Sequence, residues 1–423
     1  MEDAHLSLEM MAKLLSGGIE QDDLQTQVVP HFLALCPVCR DRCRQVRRLQ
    51  EEVGHWNEEV AVFEGQEAPE LWKQLEGLTF EEQVKRVDEE EGLHTWGLCQ
   101  LLLKRSAEAG FGDPSSAIDL ANLAVKISGR LGEAYDPNWV WDLRARSFAY
   151  LGNARRIAGE LRSAEDAFYK VDKCLAQSST GDKNLLAEVL RLKSSLKRAQ
   201  RQFEVALDLA DDALQLYGEI GDLRGVGICR LKKAKILEEM GELKSAIELL
   251  SESSEETDTI HEPRLLAYTR YNLLGCLTLA ERYEEAERLL PGVEQLFGAL
   301  GQPLDLVRLS WARANIALGL GDLRTAEETF DQVRREFAAR GMSYDVALVS
   351  LDLALLYHQE GRAAELKRLT SELLTIFEAQ EIHREALGAF YLFQTASLEE
   401  RLTVDIITRL AEVLRRYRPG NGV

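Results

Sequence analysis

Five small residues set the frame of this chain. Ala164, Ala206, Ala246, Ala286 and Ala326 stand 42, 40, 40 and 40 residues apart. Around three of them the same pattern repeats: Gly159, Leu161, Ala164 and Phe168; Gly241, Leu243, Ala246 and Leu250; Gly321, Leu323, Ala326 and Phe330. Weaker copies begin at Arg201 and Glu281, and a degenerate one at Gly361. A second register keeps the same period: Tyr217, Phe297, Phe337 and Phe377 lie 80, 40 and 40 residues apart. Each is followed four residues later by a turn position: Gly221, Gly301, Gly341 and Glu381. Self-similarity at a fixed period in this range marks a repeat architecture, in which each unit buries its apolar face only by stacking on its neighbours.

The physics of one unit is readable. Apolar residues recur at helical spacing on both sides of each turn, so a unit is a pair of amphipathic helices. Alternating runs of Val, Ile and Thr, which would signal strands, are almost absent. The turn glycine closes the first helix in a left-handed conformation. The alanine sits where the two helices cross closely, and the aromatic fills the space beside it. The fold class expected is all-α: a solenoid of stacked antiparallel helix pairs.

Leu151, Gly152, Ala164 and Phe168 match the Leu-Gly, Ala and aromatic positions of the tetratricopeptide repeat, and Leu353, Ala354 and Tyr357 match its first-helix positions in the last unit. The stretch from 138 to 398 therefore resembles a tetratricopeptide array. Its period of 40 exceeds the usual ~34, and the closing Pro is missing. In this it resembles the long repeats of MalT-type bacterial regulators. The resemblance implies that first helices line a concave groove that takes a partner. Carried over position by position, the groove would present Arg146, Asn153, Arg156, Glu188, Arg191, Arg198, Lys235, Tyr268, Tyr271, Arg308, Trp311, Asn315 and His358. Arginines and aromatics are the residues that binding hot spots favour; the bland alternative is that some of them only pack against the adjacent repeat. The clamp that holds a C-terminal carboxylate in some such arrays is matched at Asn153 alone, which does not support that ligand.

Residues 61–137 read as a divergent helical region with a first repeat: a helix over 92–109, then DPSSAIDLANLAVKI with Ala117, Ala121 and Ala124 at the small positions. The AYDPNWVWD stretch, 134–142, reads as a loop that breaks the period. Residues 399–423 hold one helix, 402–417, expected to cap the array.

Residues 1–60 do not follow the repeat. His31, Cys36, Cys39 and Cys43 cluster there, with three of the chain's seven cysteines within eight residues. Pro37 suits a helical first turn, which would set Cys36, Cys39 and Cys43 on one face. One reading is a tetrahedral structural zinc site; the other is a buried helix face, since cysteine is among the most buried residue types. The stretch resembles the His-x3-Cys-x2-Cys motif of zinc-binding anti-sigma factors, with four residues rather than three between His31 and Cys36. The fourth ligand could be Cys43, His5 or His55. The resemblance implies a small helical module that grips a transcription factor.

The formal charge of −20 and pI near 5.0 oppose direct nucleic-acid binding. The one basic run, Arg40, Arg42, Arg44, Arg47 and Arg48, lacks interleaved aromatics and reads as a solvated helix face. No apolar stretch is long enough to span a membrane. The amino terminus lacks the basic and apolar regions of a signal peptide, and scattered thiols suit a reducing cytoplasm. Motifs for zinc hydrolases, nucleophile elbows, phosphate loops and EF-hands are missing. Gly225 and Gly227 form no dinucleotide fingerprint, and the spacing of His94 and Cys99 suits no nucleophile–base pair. The expected function is a non-catalytic scaffold or regulator that binds a protein or peptide in bacterial signalling, transcription control or a defence complex. The alternatives are a small-molecule or peptide sensor of the MalT type, and an enzyme with an unrecognised site.

Overall fold

The structure is a computed structural model that describes residues 61–110, 112–132, 135–257, 262–378, 393–394 and 403–417. Among the described residues every regular element is a helix. The chain forms two compact units that divide between Gln200 and Arg201.

The first unit runs through α1 (61–73), α2 (Phe80–Glu89), α3 (Trp96–Ala109), α4 (Pro114–Ser128), α5 (Pro137–Ile157), α6 (Leu161–Leu175) and α7 (Lys183–Ala199). α3 pairs with α4 and α5 with α6, while α7 lies alongside α5. The helix expected over 92–109 starts later, at Trp96. The Thr95 hydroxyl accepts the Leu98 amide and caps the helix there. The loop expected over 134–142 is mostly helix. Asp136 caps α5 by accepting the amides of Asn138 and Trp139, and Pro137 occupies the first helical position. Proline is favoured there because its missing N–H would have no intrahelical acceptor anyway. Asp-Pro was the signal to read; the bulky NWVWD run hid it.

The second unit holds α8 (Phe203–Ile220), α9 (Leu223–Met240), α10 (Leu243–Glu256), α11 (Pro263–Leu279), α12 (Tyr283–Leu300), α13 (Pro303–Gly319), α14 (Leu323–Ala339), α15 (Ser343–Gln359), α16 (Ala363–Glu378) and α17 (Val404–Tyr417). Each helix contacts the next from α8 to α16, and the first helices α9, α11, α13 and α15 also neighbour one another. α17 packs on α15, adding Ile407, Leu410 and Leu414 to the cluster that holds Phe330, Phe337 and Leu353. This is the terminal cap that a stacked array needs to cover its last apolar face.

The repeat's small residues do what their spacing requires. Ala164, Ala206, Ala246, Ala286 and Ala326 are wholly buried, as are Phe297 and Phe337 of the aromatic register, with Tyr217 close behind. The side chain of Phe377 and the turn position Glu381 lie outside the described residues. Gly225 and Gly227 serve packing: a Cβ at either would fall within 2.4 Å of the Tyr217 ring or 2.6 Å of Leu265.

The turn between paired helices is left-handed at Gly159, Gly241, Gly321 and Gly361. Arg201 and Glu281 occupy the same place in the repeat and adopt the same conformation, with φ of 59° and 58°. A side chain in this region is strained by about 1–2 kcal/mol because Cβ crowds the following carbonyl. Part of that gain is offset by glycine's greater freedom when unfolded. Glu281→Gly is therefore expected to stabilise the chain by about 0.5–1 kcal/mol, read as a raised denaturation midpoint. An unchanged or lowered midpoint would show that Glu281 makes a compensating contact.

Candidate functional site

In each unit the first helices carry half-buried polar and aromatic side chains. In the first unit they form a strip on α5 and α7. Arg146 Nε donates to Glu188 Oε2 at 3.0 Å, and the Tyr150 hydroxyl donates to Glu188 Oε1 at 2.7 Å. Arg191 approaches the same carboxylate at 4.0 Å. One turn further along α5, the Arg156 guanidinium donates from Nε and Nη2 to the amide oxygen of Asn153, at 3.1 and 2.9 Å. Arg156 and Arg198 are 6% and 7% exposed. Burial, then the nearby charges of Arg198 and Arg191, push the Arg156 guanidinium down to about 9. A guanidinium ordinarily stays fully protonated, and enclosure between the helices is the main cause of the lowering here.

In the second unit the strip is aromatic and acidic. The Tyr268 hydroxyl donates to Asp305 Oδ2 at 2.7 Å, and Arg308 stands 3.7 Å from the same carboxylate. Burial, followed by Asp305, pushes the Tyr268 phenol up to about 12. The Trp311 indole donates to Asp352 Oδ2 at 2.6 Å, and the Asn315 amide adds a longer contact to the same oxygen at 3.4 Å. Burial raises the Asp352 carboxyl above the usual aspartate range, against the pull of Arg415, Trp311 and Asn315. Rings support the strip from behind: Tyr268 and Tyr271 lie 5.6 and 5.7 Å from Phe297, and Trp311 meets Phe337 edge-on at 5.9 Å. Edge-to-face contacts of this kind hold an aromatic in one orientation.

The structure thus brings the expected residues together in two groups, one per unit. Arg146, Asn153, Arg156, Glu188, Arg191 and Arg198 share the α5–α7 face. Tyr268, Tyr271, Arg308, Trp311 and Asn315 share the face of α11 and α13. Lys235 pairs within its own helix, with Glu238 at 2.7 Å, and His358 is partly exposed near the end of α15. Tyr150, Asp305 and Asp352 escaped the sequence reading. The metal-ligand set His31, Cys36, Cys39 and Cys43 lies outside the described residues, and no cluster of metal-ligating side chains occurs among the described ones.

Neither histidine–thiol chemistry nor a membrane span emerges from the described residues. His94 Nε2 is held 2.7 Å from the Val87 carbonyl oxygen. Cys99 donates to the Ala124 carbonyl at 3.4 Å, and burial pushes its thiol up to about 12, the opposite of an activated nucleophile. No described helix is long and apolar enough to cross a membrane.

No family model matches this chain, and no curated protein does. Solved structures do. A Rap protein complexed with competence and sporulation factor aligns with a TM-score of 0.53 at 16% identity, over 86% of this chain and 99% of that one. The apo form of the quorum sensor NprR from B. thuringiensis aligns with a TM-score of 0.50 at 15% identity, over 87% of this chain and 99% of that one. Similarity at this identity speaks to the fold, and the fold is a tetratricopeptide-like helical repeat.

Proposed function

We propose that this chain is a non-catalytic binding protein. It takes a peptide or protein segment against its first-helix faces and acts as a regulator in the bacterial cytoplasm, in signalling or transcription. The observation that carries this reading is the strip itself. Tyr268, Tyr271 and Trp311 are half-buried and fixed from behind by Phe297 and Phe337, and the carboxylates of Asp305 and Asp352 orient Tyr268 and Trp311. Rigid aromatics with an oriented polar tip are what interface anchors require, because little side-chain freedom is lost on binding. Two proteins of the same fold support it by name: one is a Rap protein complexed with a competence and sporulation factor, the other a quorum sensor. The same strip would serve a MalT-type peptide sensor, so sensor and scaffold differ in the response that binding triggers and not in the site.

The amino-terminal His31, Cys36, Cys39 and Cys43 enter this reading as an anti-sigma-like module holding one structural zinc. That part rests on sequence alone, and the zinc content of purified chain decides it: none bound would remove the metal from the reading.

The binding reading is tested by panning a displayed library of random 12-residue peptides on the full chain. Enriched sequences with micromolar affinity that is lost in Trp311→Ala are expected, provided the variant keeps its helical spectrum. A library that yields no binder, or binders indifferent to both Trp311→Ala and Tyr271→Ala, would sink the proposal.

A further inference from the structure

The first unit also holds a cavity of about 550 Å³ lined by α1, α2, α3 and α4, within the size range of small-molecule sites. Part of its wall is apolar: Trp72 and Leu120 are buried, and Leu78 and Phe80 are half-buried. Gln83 lines it too and is only 9% exposed. Its Nε2 donates to the Leu75 carbonyl oxygen at 3.0 Å, which fixes the sense of the amide because a carbonyl only accepts. The Oε1 on the other side of that amide accepts no hydrogen bond among the described residues. A buried acceptor left without a donor costs free energy. Three carboxylates, Glu108, Asp113 and Asp119, line the same cavity and form no ion pair among the described residues. Asp113 caps α4 by accepting the Ser116 amide at 3.0 Å, so the anion that a helix amino terminus favours is already in place. Asp119 is half-buried and has no hydrogen-bond partner among the described residues. Burial, then the like charge of Asp113, holds its carboxyl above the usual aspartate range. The cation in the lining, Arg105, is already engaged. It lies over the Trp72 ring at 4.8 Å and stands 3.8 Å from Glu76, which also accepts the Trp72 indole N–H at 3.0 Å.

We propose that this cavity binds a small organic ammonium ion, with its apolar body against Phe80, Leu78 and Leu120 and its nitrogen donating to Asp119 and to Gln83 Oε1. The site lies within the first unit and is independent of the peptide-binding reading above. The argument is one of complementary chemistry. A carboxylate and an amide oxygen accept only, so what satisfies both must donate. An ammonium offers three N–H donors with the charge that Asp119 lacks beside it, and its carbons suit an aromatic wall. An anionic ligand would instead meet three carboxylates of its own sign.

The test uses the full chain and three probes with one body and different charge: phenethylammonium, neutral 2-phenylethanol and anionic 3-phenylpropionate. Each is titrated by calorimetry at low and at physiological salt. Phenethylammonium is expected to bind saturably at millimolar concentration and more weakly as salt rises, with the alcohol weaker and the acid not bound. Asp119→Asn keeps the shape of the side chain and should weaken phenethylammonium about tenfold, the lower end for a lost charge-assisted hydrogen bond. Gln83→Met, checked for an unchanged helical spectrum, gives a second reading by removing the acceptor. No saturable binding of phenethylammonium overturns the proposal, as does equal binding of the alcohol or indifference to both substitutions. Tighter binding of 3-phenylpropionate also overturns it, in favour of an acid held by Arg105. Trp311→Ala is expected to leave phenethylammonium binding unchanged, so success or failure here is read separately from peptide binding.

Discussion

Phe337→Ala is expected to destabilise the second unit by about 3–5 kcal/mol, the range for removing a large ring from a well-packed core. The ring is wholly buried in the cluster that joins α13, α14, α15 and α17. Its loss leaves a void lined by rigid helices, and such sites collapse poorly because each helix is held by two neighbours. A second consequence reaches the first-helix strip. Phe337 supports Trp311 edge-on at 5.9 Å, and Trp311 in turn donates to Asp352. Without the ring behind it, the indole loses the contact that fixes its orientation. Stability in stacked repeats is close to a sum of unit and nearest-neighbour contributions, so the damage should stay local. Native-state hydrogen exchange is the measurement: amides of α13, α14 and α15 should exchange far faster, while those of α3 to α6 keep wild-type protection. A loss below about 1 kcal/mol, or an equal loss of protection in both units, would show that the ring does not hold this cluster together.

Much of this fold was legible in the chain because the repeat states its rules several times. The alanine column locates the helix crossings, and the turn column locates the left-handed residues. Arg201 and Glu281 even announce themselves as the two places where the turn glycine is missing. Reading failed where the pattern is used once. Thr95 and Asp136 set helix starts through side-chain caps, and a single cap has no second copy to confirm it. The strip's residues were legible as positions but not as pairs. Tyr268 with Asp305, Trp311 with Asp352 and Arg146 with Glu188 are separated by 37, 41 and 42 residues. Those separations are one repeat, give or take one helical turn, because neighbouring first helices lie side by side. A search for complementary polar pairs near the period would have found Asp305 and Asp352. Asp352 carries a further signal, as the one charge inside SLDLALLY on a helix otherwise buried nearly all round. What the sequence does not contain is burial of charge: nothing in the spacing of Arg156 and Arg198 distinguishes a solvated cation from one enclosed between helices.

Gly97→Ala is expected to undock α1 from the first unit. Gly97 lies in the first turn of α3, and a Cβ there would fall 2.3 Å from the backbone carbonyl oxygen of Glu64 and 2.4 Å from its carbon. Backbone cannot rotate away as a flexible side chain can, so the 61–73 helix must move as a body. The same approach is what makes Glu64 useful. Its carboxylate accepts the Gly97 amide at 3.0 Å and the Tyr135 hydroxyl at 2.6 Å. An anion at a helix amino terminus is further favoured by the exposed N–H groups and the helix dipole. Displacing α1 forfeits both hydrogen bonds, each worth roughly 1 kcal/mol net. It also loosens Ala68 and Trp72, which are buried. Together with the steric cost of about 1–3 kcal/mol, the loss should reach about 3 kcal/mol or more for the docking of this helix. Limited proteolysis reads it directly, as new cleavage between 73 and 80 with α5 and α6 still protected. Glu64→Gln separates the two causes, since it keeps the shape and weakens only the hydrogen bonds. If Gly97→Ala behaves no worse than Glu64→Gln, the charge and not the close backbone approach fastens α1 to the array.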